Sequence, residues 1–367
     1  MTKGFPAKTI GILSAGGDCP GLNAAIKALC STASLKNNMK IIGINDGYRG
    51  LIEGRTREIT HDDYKDIMNQ GGTILGSSRI KPYKTEEDSE SKEQDKVSLI
   101  KENYHKLGLD CLIVLGGNGT HSTANRLSGE GLNIIGLPKT IDNDIVGTDF
   151  SFGFDTAVMV ATESIDRHHS TAKSHGRVMV IELMGHKVGW LALYSGIAGS
   201  ADIILIPEIP YNIKNIGNHI KENAGKGKNY SIVVVAEGAI SVEEEQMNRK
   251  DRKKFRTETM YSSIAGRIAH EIEMETMLEA RTTVLGYAQR GGTPSAADRI
   301  LAASFGYAAA EHAAKGEYGI MMALNGSKIC SVPLDVPAGK IKTVPLDHHL
   351  LSTAKALGIS LGDLISG

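Results

Sequence analysis

The stretch Thr9-Ile10-Gly11-Ile12-Leu13-Ser14-Ala15-Gly16-Gly17-Asp18-Cys19-Pro20-Gly21 decides the fold class. It begins as a short apolar run of strand character and passes into a glycine-rich turn. The apolar residues 22–34 then predict a helix, with a proline near its first turn. Strand, tight turn and helix open a βα unit, and the same grammar recurs down the chain. Residues 40–44, 111–115 and 132–137 read as strands, 116–120 as a second glycine-rich turn leading to a helix that ends at 127, and 154–173 as a helix. In the second half strands are expected at 178–183, 202–206, 232–236 and 282–285. Helices are expected at 190–198, 212–225 and 296–314, with a mixed-charge helical region over 243–275. Strands alternating with helices argue for mainly parallel sheets flanked by helices, an α/β protein. The pattern restarts near 150–155, which suggests two lobes.

Composition narrows the class. A chain of 367 residues has room for two or three domains. With 41% hydrophobic and 23% charged residues it has ordinary globular usage, and a net charge of -1 gives no reason to expect nucleic acid as a partner. The first ten residues hold no signal-peptide core, and the apolar runs at 203–206 and 232–236 are too short to span a membrane. Cys19, Cys30, Cys111 and Cys330 are scattered, without metal-ligand spacing or a disulfide framework. A soluble cytoplasmic protein is expected. Residues 84–96 are almost wholly polar and read as an exposed insertion.

The residues with chemistry fall just after the strands, where open α/β sheets hold ligands. Leu137-Pro138-Lys139-Thr140-Ile141-Asp142-Asn143-Asp144 carries a cation, a hydroxyl and two carboxylates. If this loop is extended, Asp142 and Asp144 share a face. One could then act as a general base while the other helps to hold a hard cation. An Asx-rich turn accounts for the same octapeptide equally well. Gly16-Gly17-Asp18 and Gly116-Gly117-Asn118-Gly119-Thr120 each follow a strand and open a helix. Such turns can cradle phosphate with backbone N–H groups, and the helix end adds ~0.3–1 kcal/mol for a negative charge. Neither matches a P-loop or the full dinucleotide fingerprint, and each alone is as readily a plain tight turn. Arg79, Arg177, Arg281 and Arg290 stand beside such loops, and guanidinium matches phosphate geometry. Positioned phosphates, a cation and a base are what phosphoryl transfer requires. The residues alone therefore point to a phosphotransferase acting on a phosphosugar-like hydroxyl.

Five motifs in order give a more specific reading. They are Gly-Gly-Asp-Cys-Pro-Gly (16–21), Gly-Gly-Thr-Ile-Leu-Gly-Ser-Ser-Arg (71–79), Gly-Gly-Asn-Gly-Thr (116–120), Pro-Lys-Thr-Ile-Asp-Asn-Asp (138–144) and Gln-Arg-Gly-Gly (289–292). Their order and spacing resemble the 6-phosphofructokinase family over about residues 9–325. The resemblance implies two Rossmann-like lobes with the active site in the cleft between them. A donor lobe would take 1–152 and 289–325, and a sugar-phosphate lobe 153–288 and 326–367. It also implies transfer of the γ-phosphoryl group of ATP to the 1-hydroxyl of fructose 6-phosphate, with Mg²⁺. On this resemblance Asp142 is the general base, with Thr140 and Asp144 beside it. Gly17, Arg79, Gly116, Gly117, Asn118, Gly119, Thr120 and Lys139 hold the donor, and Asn118 and Asp144 the metal. Thr140, Asp142, Arg177, Met184, Gly185, His186, Glu237, Arg281, Tyr287 and Arg290 meet the sugar phosphate. Arg177 would reach a neighbouring subunit, which implies a homo-oligomer, a tetramer.

The chain departs from the family pattern at several of these places. Asn118 stands where an acidic magnesium ligand is usual, His186 where an arginine often follows Met-Gly, and Tyr287 where well-known bacterial enzymes have histidine. Lys27, Ser31 and His169 replace effector-binding arginines, so allosteric control is not carried over. Pyrophosphate-dependent relatives typically place aspartate at the position of Gly119 and lysine at that of Lys139. Gly119 admits a nucleotide and Lys139 suits either donor, so ATP is favoured and pyrophosphate is the alternative. Lipid and NAD kinases share a motif like 116–120 but lack the partners of 138–144 and 289–292. A non-catalytic sugar-phosphate sensor would explain Asn118 but not the retained Asp142.

Overall fold

A computed structural model describes residues 2–83, 90–258 and 261–363. The chain forms two compact units, Met1–Thr156 with Arg290–Lys342, and Ala157–Gln289 with Thr343–Gly367.

The first unit is built on a seven-stranded sheet. Its order is Lys328–Pro333, Ile320–Asn325, Ile134–Pro138, Cys111–Gly116, Thr9–Ser14, Lys40–Ile44, Thr56–Glu58. The five inner strands run parallel, and each edge strand pairs antiparallel. Cys111–Gly116 and Ile134–Pro138 are buried at every position, as strands covered on both faces must be. In register, Leu13 lies between Ile44 and Val114. This parallel register brings the turns after Thr9–Ser14, Cys111–Gly116 and Ile134–Pro138 to one end of the sheet.

Helix Leu22–Ser31 packs on Ala296–Ala314, and the crossing is close because Gly306 carries no side chain. A Cβ there would lie 2.3 Å from the Ala25 carbonyl oxygen. The first helix is shorter than expected. It passes at Thr32–Lys36 into a π-helical turn, and Thr32 Oγ1 donates to the Ala28 carbonyl at 2.8 Å. The polar stretch expected as an exposed insertion is described only in part. Residues 84–89 lie outside those described, and from Glu90 the chain is the helix Glu90–Lys106, since Glu, Lys and Gln are good helix formers however polar. The return segment reaches Lys342 rather than 325, because the hydrogen-bond partner of Lys328–Pro333 is Ile320–Asn325.

The second unit has a four-stranded, wholly parallel sheet in the order Ala280–Val284, Val178–Leu183, Ser231–Ala236, Ile203–Leu205. The mixed-charge region proves to be three helices, Val242–Glu245, Arg249–Glu258 and Ile264–Thr276. They close over Glu244, whose fully buried carboxylate accepts from Arg256 Nε at 2.6 Å, Arg267 Nη2 at 2.5 Å and the Ser241 N–H at 3.0 Å. Burial pushes this carboxyl up, but the two guanidinium groups outweigh it and hold it down to about 2. No described helix is long and apolar enough to cross a membrane.

Candidate active site

In the first unit the glycine-rich turns and the 137–144 loop meet through named contacts. Gly16 takes a left-handed φ of 87°, and its N–H donates to the Ser78 carbonyl at 2.9 Å. Ser77 Oγ donates back to the Gly16 carbonyl at 2.7 Å. The 71–79 loop is thereby zipped to the first turn and ends on the exposed Arg79. Asn23 Nδ2 donates to the Gly71 carbonyl at 3.1 Å, and its Oδ1 accepts the Ile74 N–H at 2.9 Å. Gly71 must be glycine here, since a Cβ would sit 2.3 Å from the Gly292 carbonyl oxygen.

Two cations converge on Gly17. Lys139 is buried and its Nζ donates to the Gly17 carbonyl. Arg290 Nη1 donates to the Asp18 carbonyl at 3.2 Å and would lie 2.5 Å from a Cβ on Gly17. Burial pushes the Lys139 ammonium down, and Arg290 adds to that. Both cations spend hydrogen bonds on backbone carbonyls, which an anion can replace.

The 137–144 loop is not extended. Asn143 has φ 52°, so the backbone turns between the two aspartates and the shared face expected from residues two apart is lost. Asx residues tolerate this conformation, so the residues expected as candidate catalytic groups stand on a turn of the kind the sequence also allowed. Asp142 N–H donates to Thr140 Oγ1 at 3.1 Å, and its carboxylate lies near enough to Lys139 to favour the charged ammonium. Asp144 is buried, which pushes its carboxyl up, and Asn118 Nδ2 donates to its Oδ2 at 2.7 Å. Asn118 Oδ1 is buried without a hydrogen-bond partner. Among the described residues no group of three or more His, Cys, Asp or Glu could hold a metal ion.

The second glycine-rich turn makes the helix Asn118–Gly129, capped at Gly117. Gly116 is fixed by sterics, as a Cβ would lie 2.2 Å from Thr120 Oγ1. Gly119 is different: a Cβ there would meet Lys81 Cε at 3.7 Å, ordinary contact.

The second unit places the other expected residues, apart from Arg290, in two groups with Tyr287 by itself. His186 follows Gly185 at a left-handed φ of 53°, and its N–H donates to Glu237 Oε1 at 2.7 Å, next to Met184. Glu237 lines a pocket with Arg256, Tyr261 and Ser263. Arg177 and Arg281 both pair with Glu279, Arg177 Nε at 2.5 Å to Oε2 and Arg281 Nη2 to Oε1. Tyr287 is 74% exposed on the turn Gly286–Gln289.

Sequence reasoning missed three residues that shape the first unit's loops. Asn23 looked like one residue of an apolar helix. Asp298 sits three after Ser295, a capping-box spacing that was visible. Its carboxylate instead accepts the Gly153 and Thr156 N–H groups at 2.8 Å each and fixes the start of helix Phe154–His175. Lys342 carried no signal, yet it contacts the loop beyond Asp142, and burial pushes its ammonium down to about 8.

A family profile described as phosphofructokinase matches residues 9–313. The chain belongs to the phosphofructokinase family. A relative from Spirochaeta thermophila named ATP-dependent 6-phosphofructokinase is 57% identical, over 97% of this chain and 98% of its own. A protein from Amycolatopsis methanolica named pyrophosphate–fructose 6-phosphate 1-phosphotransferase is 42% identical, over 93% of this chain and 97% of its own. Among solved structures, Pichia pastoris phosphofructokinase in the T-state aligns with a TM-score of 0.77 and 29% identity, covering 96% of this chain and 36% of that one. The α/β class read from the strand pattern is therefore the phosphofructokinase fold. As a phosphofructokinase the chain is a kinase whose matched segment contains all five sequence motifs, while Lys342 lies beyond it.

Proposed function

We propose that this phosphofructokinase transfers the γ-phosphoryl group of ATP to the 1-hydroxyl of fructose 6-phosphate, giving fructose 1,6-bisphosphate and ADP in the cytoplasm. The observation that carries the reaction is the turned loop at Thr140–Asp144, which holds a half-buried carboxylate beside a buried cation. Asp142 accepts the proton of the sugar hydroxyl as its oxygen bonds to phosphorus and the ADP oxygen leaves. A positioned base is typically worth ~10²–10⁴-fold in rate. Lys139 brings positive charge to the Gly16–Asp18 turn, where the donor phosphates would exchange for the carbonyl it now contacts, and Arg290, expected at the sugar phosphate, stands on this same turn and would act at the donor instead.

The residues present fit Mg²⁺. Asn118 offers a buried carbonyl oxygen without a partner, and Asp144 a carboxylate that Asn118 orients. Magnesium keeps several waters and leans on substrate phosphates, so two protein oxygens suffice. When bound it would neutralise charge on the donor. At the sugar end, Glu237 and Met184 with the neighbouring Gly185–His186 turn would meet the ring hydroxyls, with Tyr287 at the rim. Arg281 and Arg177 would take the 6-phosphate in place of Glu279, Arg177 acting on a neighbouring subunit of a homotetramer.

Gly119 supports ATP as donor, since it presents neither side chain nor carboxylate at the position where pyrophosphate-dependent relatives typically place aspartate, and a Cβ there would meet Lys81 Cε at 3.7 Å. The second reading, pyrophosphate, is favoured by Lys139, which is buried against the same turn. A donor comparison decides between them: purified enzyme, fructose 6-phosphate and Mg²⁺ with either ATP or pyrophosphate. Turnover with ATP is expected. Turnover with pyrophosphate alone would reverse the donor assignment, and turnover with neither would remove the kinase reading.

A further inference from the structure

We propose that Lys342 is a positioning residue for the catalytic loop, clamping the turn that separates Asp142 from Asp144. The inference rests on the reading of Asp142 as the base. The side chain of Lys342 has three donors, and each has an acceptor in this loop. Nζ donates to Asn143 Oδ1 at 3.1 Å, to the Thr148 carbonyl at 2.9 Å and to the Asp149 carbonyl at 2.8 Å. The main chain of the same residue donates to the Asp144 carbonyl at 2.8 Å. One residue thus holds both sides of the segment 143–149.

The acceptors explain why this matters for Asp142. Asn143 sits at φ 52°, a left-handed backbone that asparagine tolerates but that its surroundings must still select over an extended course. Its side chain is what the surroundings grip. Oδ1 accepts from both Lys342 and the Ser151 N–H, the latter at 3.1 Å, and Nδ2 donates to the Asp149 carbonyl at 3.3 Å. Ser151 Oγ in turn donates to the Thr140 carbonyl at 2.8 Å, which closes the path back to the residue whose hydroxyl receives the Asp142 N–H. These three Nζ acceptors are uncharged oxygens that fix the direction of the side chain, while the carboxylates of Asp149 and Asp144 add an electrostatic pull on the ammonium. Lys342 also lies outside the five sequence motifs and beyond the segment 9–313 that the family profile matches, so the loop depends on a residue the motifs do not include.

The test separates positioning from folding and from substrate binding. Lys342→Met keeps the length of the side chain and removes its donors. Its kcat is expected to fall by about tenfold or more, because a small misplacement of a base is costly, while the KM values for ATP and fructose 6-phosphate stay within about threefold. Lys342→Arg keeps a charge but presents a planar fork to three divergent oxygens and should recover part of kcat. Asn143→Gly keeps the left-handed backbone and removes Oδ1, and should show the same kcat-only loss. The double variant Lys342→Met with Asn143→Gly should lose little more than the worse single one, as expected for two parts of one clamp.

A folded Lys342→Met enzyme with wild-type kcat would overturn the proposal. So would losses confined to KM, or single losses that multiply in the double variant. If Lys342→Met does not fold, the kcat of Asn143→Gly decides alone. Failure of the wild-type enzyme to use either donor would instead refute the underlying kinase reading.

Discussion

Gly119→Asp tests the donor assignment at a position where the structure separates charge from sterics. Gly119 is the second residue of helix Asn118–Gly129. A Cβ there meets Lys81 Cε at 3.7 Å, ordinary contact, so the first atom of an aspartate side chain meets no clash. Acidic residues in the first turn of a helix contribute ~0.3–1 kcal/mol, and the variant should melt no lower than the wild type. The expected penalty is electrostatic. A carboxylate about 4 Å from a phosphate oxygen, at an effective dielectric near 20, costs roughly 4 kcal/mol. The Lys81 ammonium stands beside the new charge and offsets part of this. A net ~2 kcal/mol corresponds to about a thirtyfold loss in kcat/KM for ATP. The assay is steady-state kinetics in ATP at saturating fructose 6-phosphate, run beside pyrophosphate and beside a thermal melt. An unchanged kcat/KM for ATP in a variant with an unchanged melt would refute the reasoning. An equal loss with both donors would show that the carboxylate acts on something common to them, not on the nucleotide.

Two further outcomes are expected. Asp142→Asn keeps the shape of the loop and removes the proton acceptor, so kcat should fall by ~10²–10⁴-fold with KM changed only a few-fold; a loss confined to KM would make Asp142 a binding residue. Glu244→Gln should destabilise the second unit near neutral pH by about 3 kcal/mol, since its carboxyl is held down from 4.5 to about 2 by Arg267 and Arg256. A depressed carboxyl contributes its full stability above its unfolded value and loses it as pH falls through about 2. Denaturant melts of the two proteins should therefore converge as the pH drops below 4.5, and a gap independent of pH would count against the pair.

What was legible in the sequence follows from how far apart the interacting residues are. Strand ends could be read because each buried strand is its own apolar run: Cys111–Gly116 announces itself without reference to its neighbours. The edge strand Thr56–Glu58 could not, since only its antiparallel pairing with Lys40–Ile44 makes three polar residues a strand. The mixed-charge region 243–275 hid a buried ion pair for the same reason. Glu244 and Arg267 are twenty-three residues apart, and nothing local distinguishes them from solvated charges. At the site, the residue types were visible but the direction of the loop was not. Asp142, Asn143 and Asp144 allow an extended or a turned backbone. The choice is made by Ser151, Asp149 and a lysine 199 residues from Asn143. The chemistry of this loop is therefore written locally and its geometry is not. That division has a consequence for the donor question. Gly119 acts by leaving space, a local property that survives rearrangement of its surroundings. The effect of Lys139 depends on whether its ammonium stays on the Gly17 carbonyl or turns to a bound phosphate. Of the two opposing indicators, the one that does not depend on a side-chain conformation is the firmer guide, and it points to ATP.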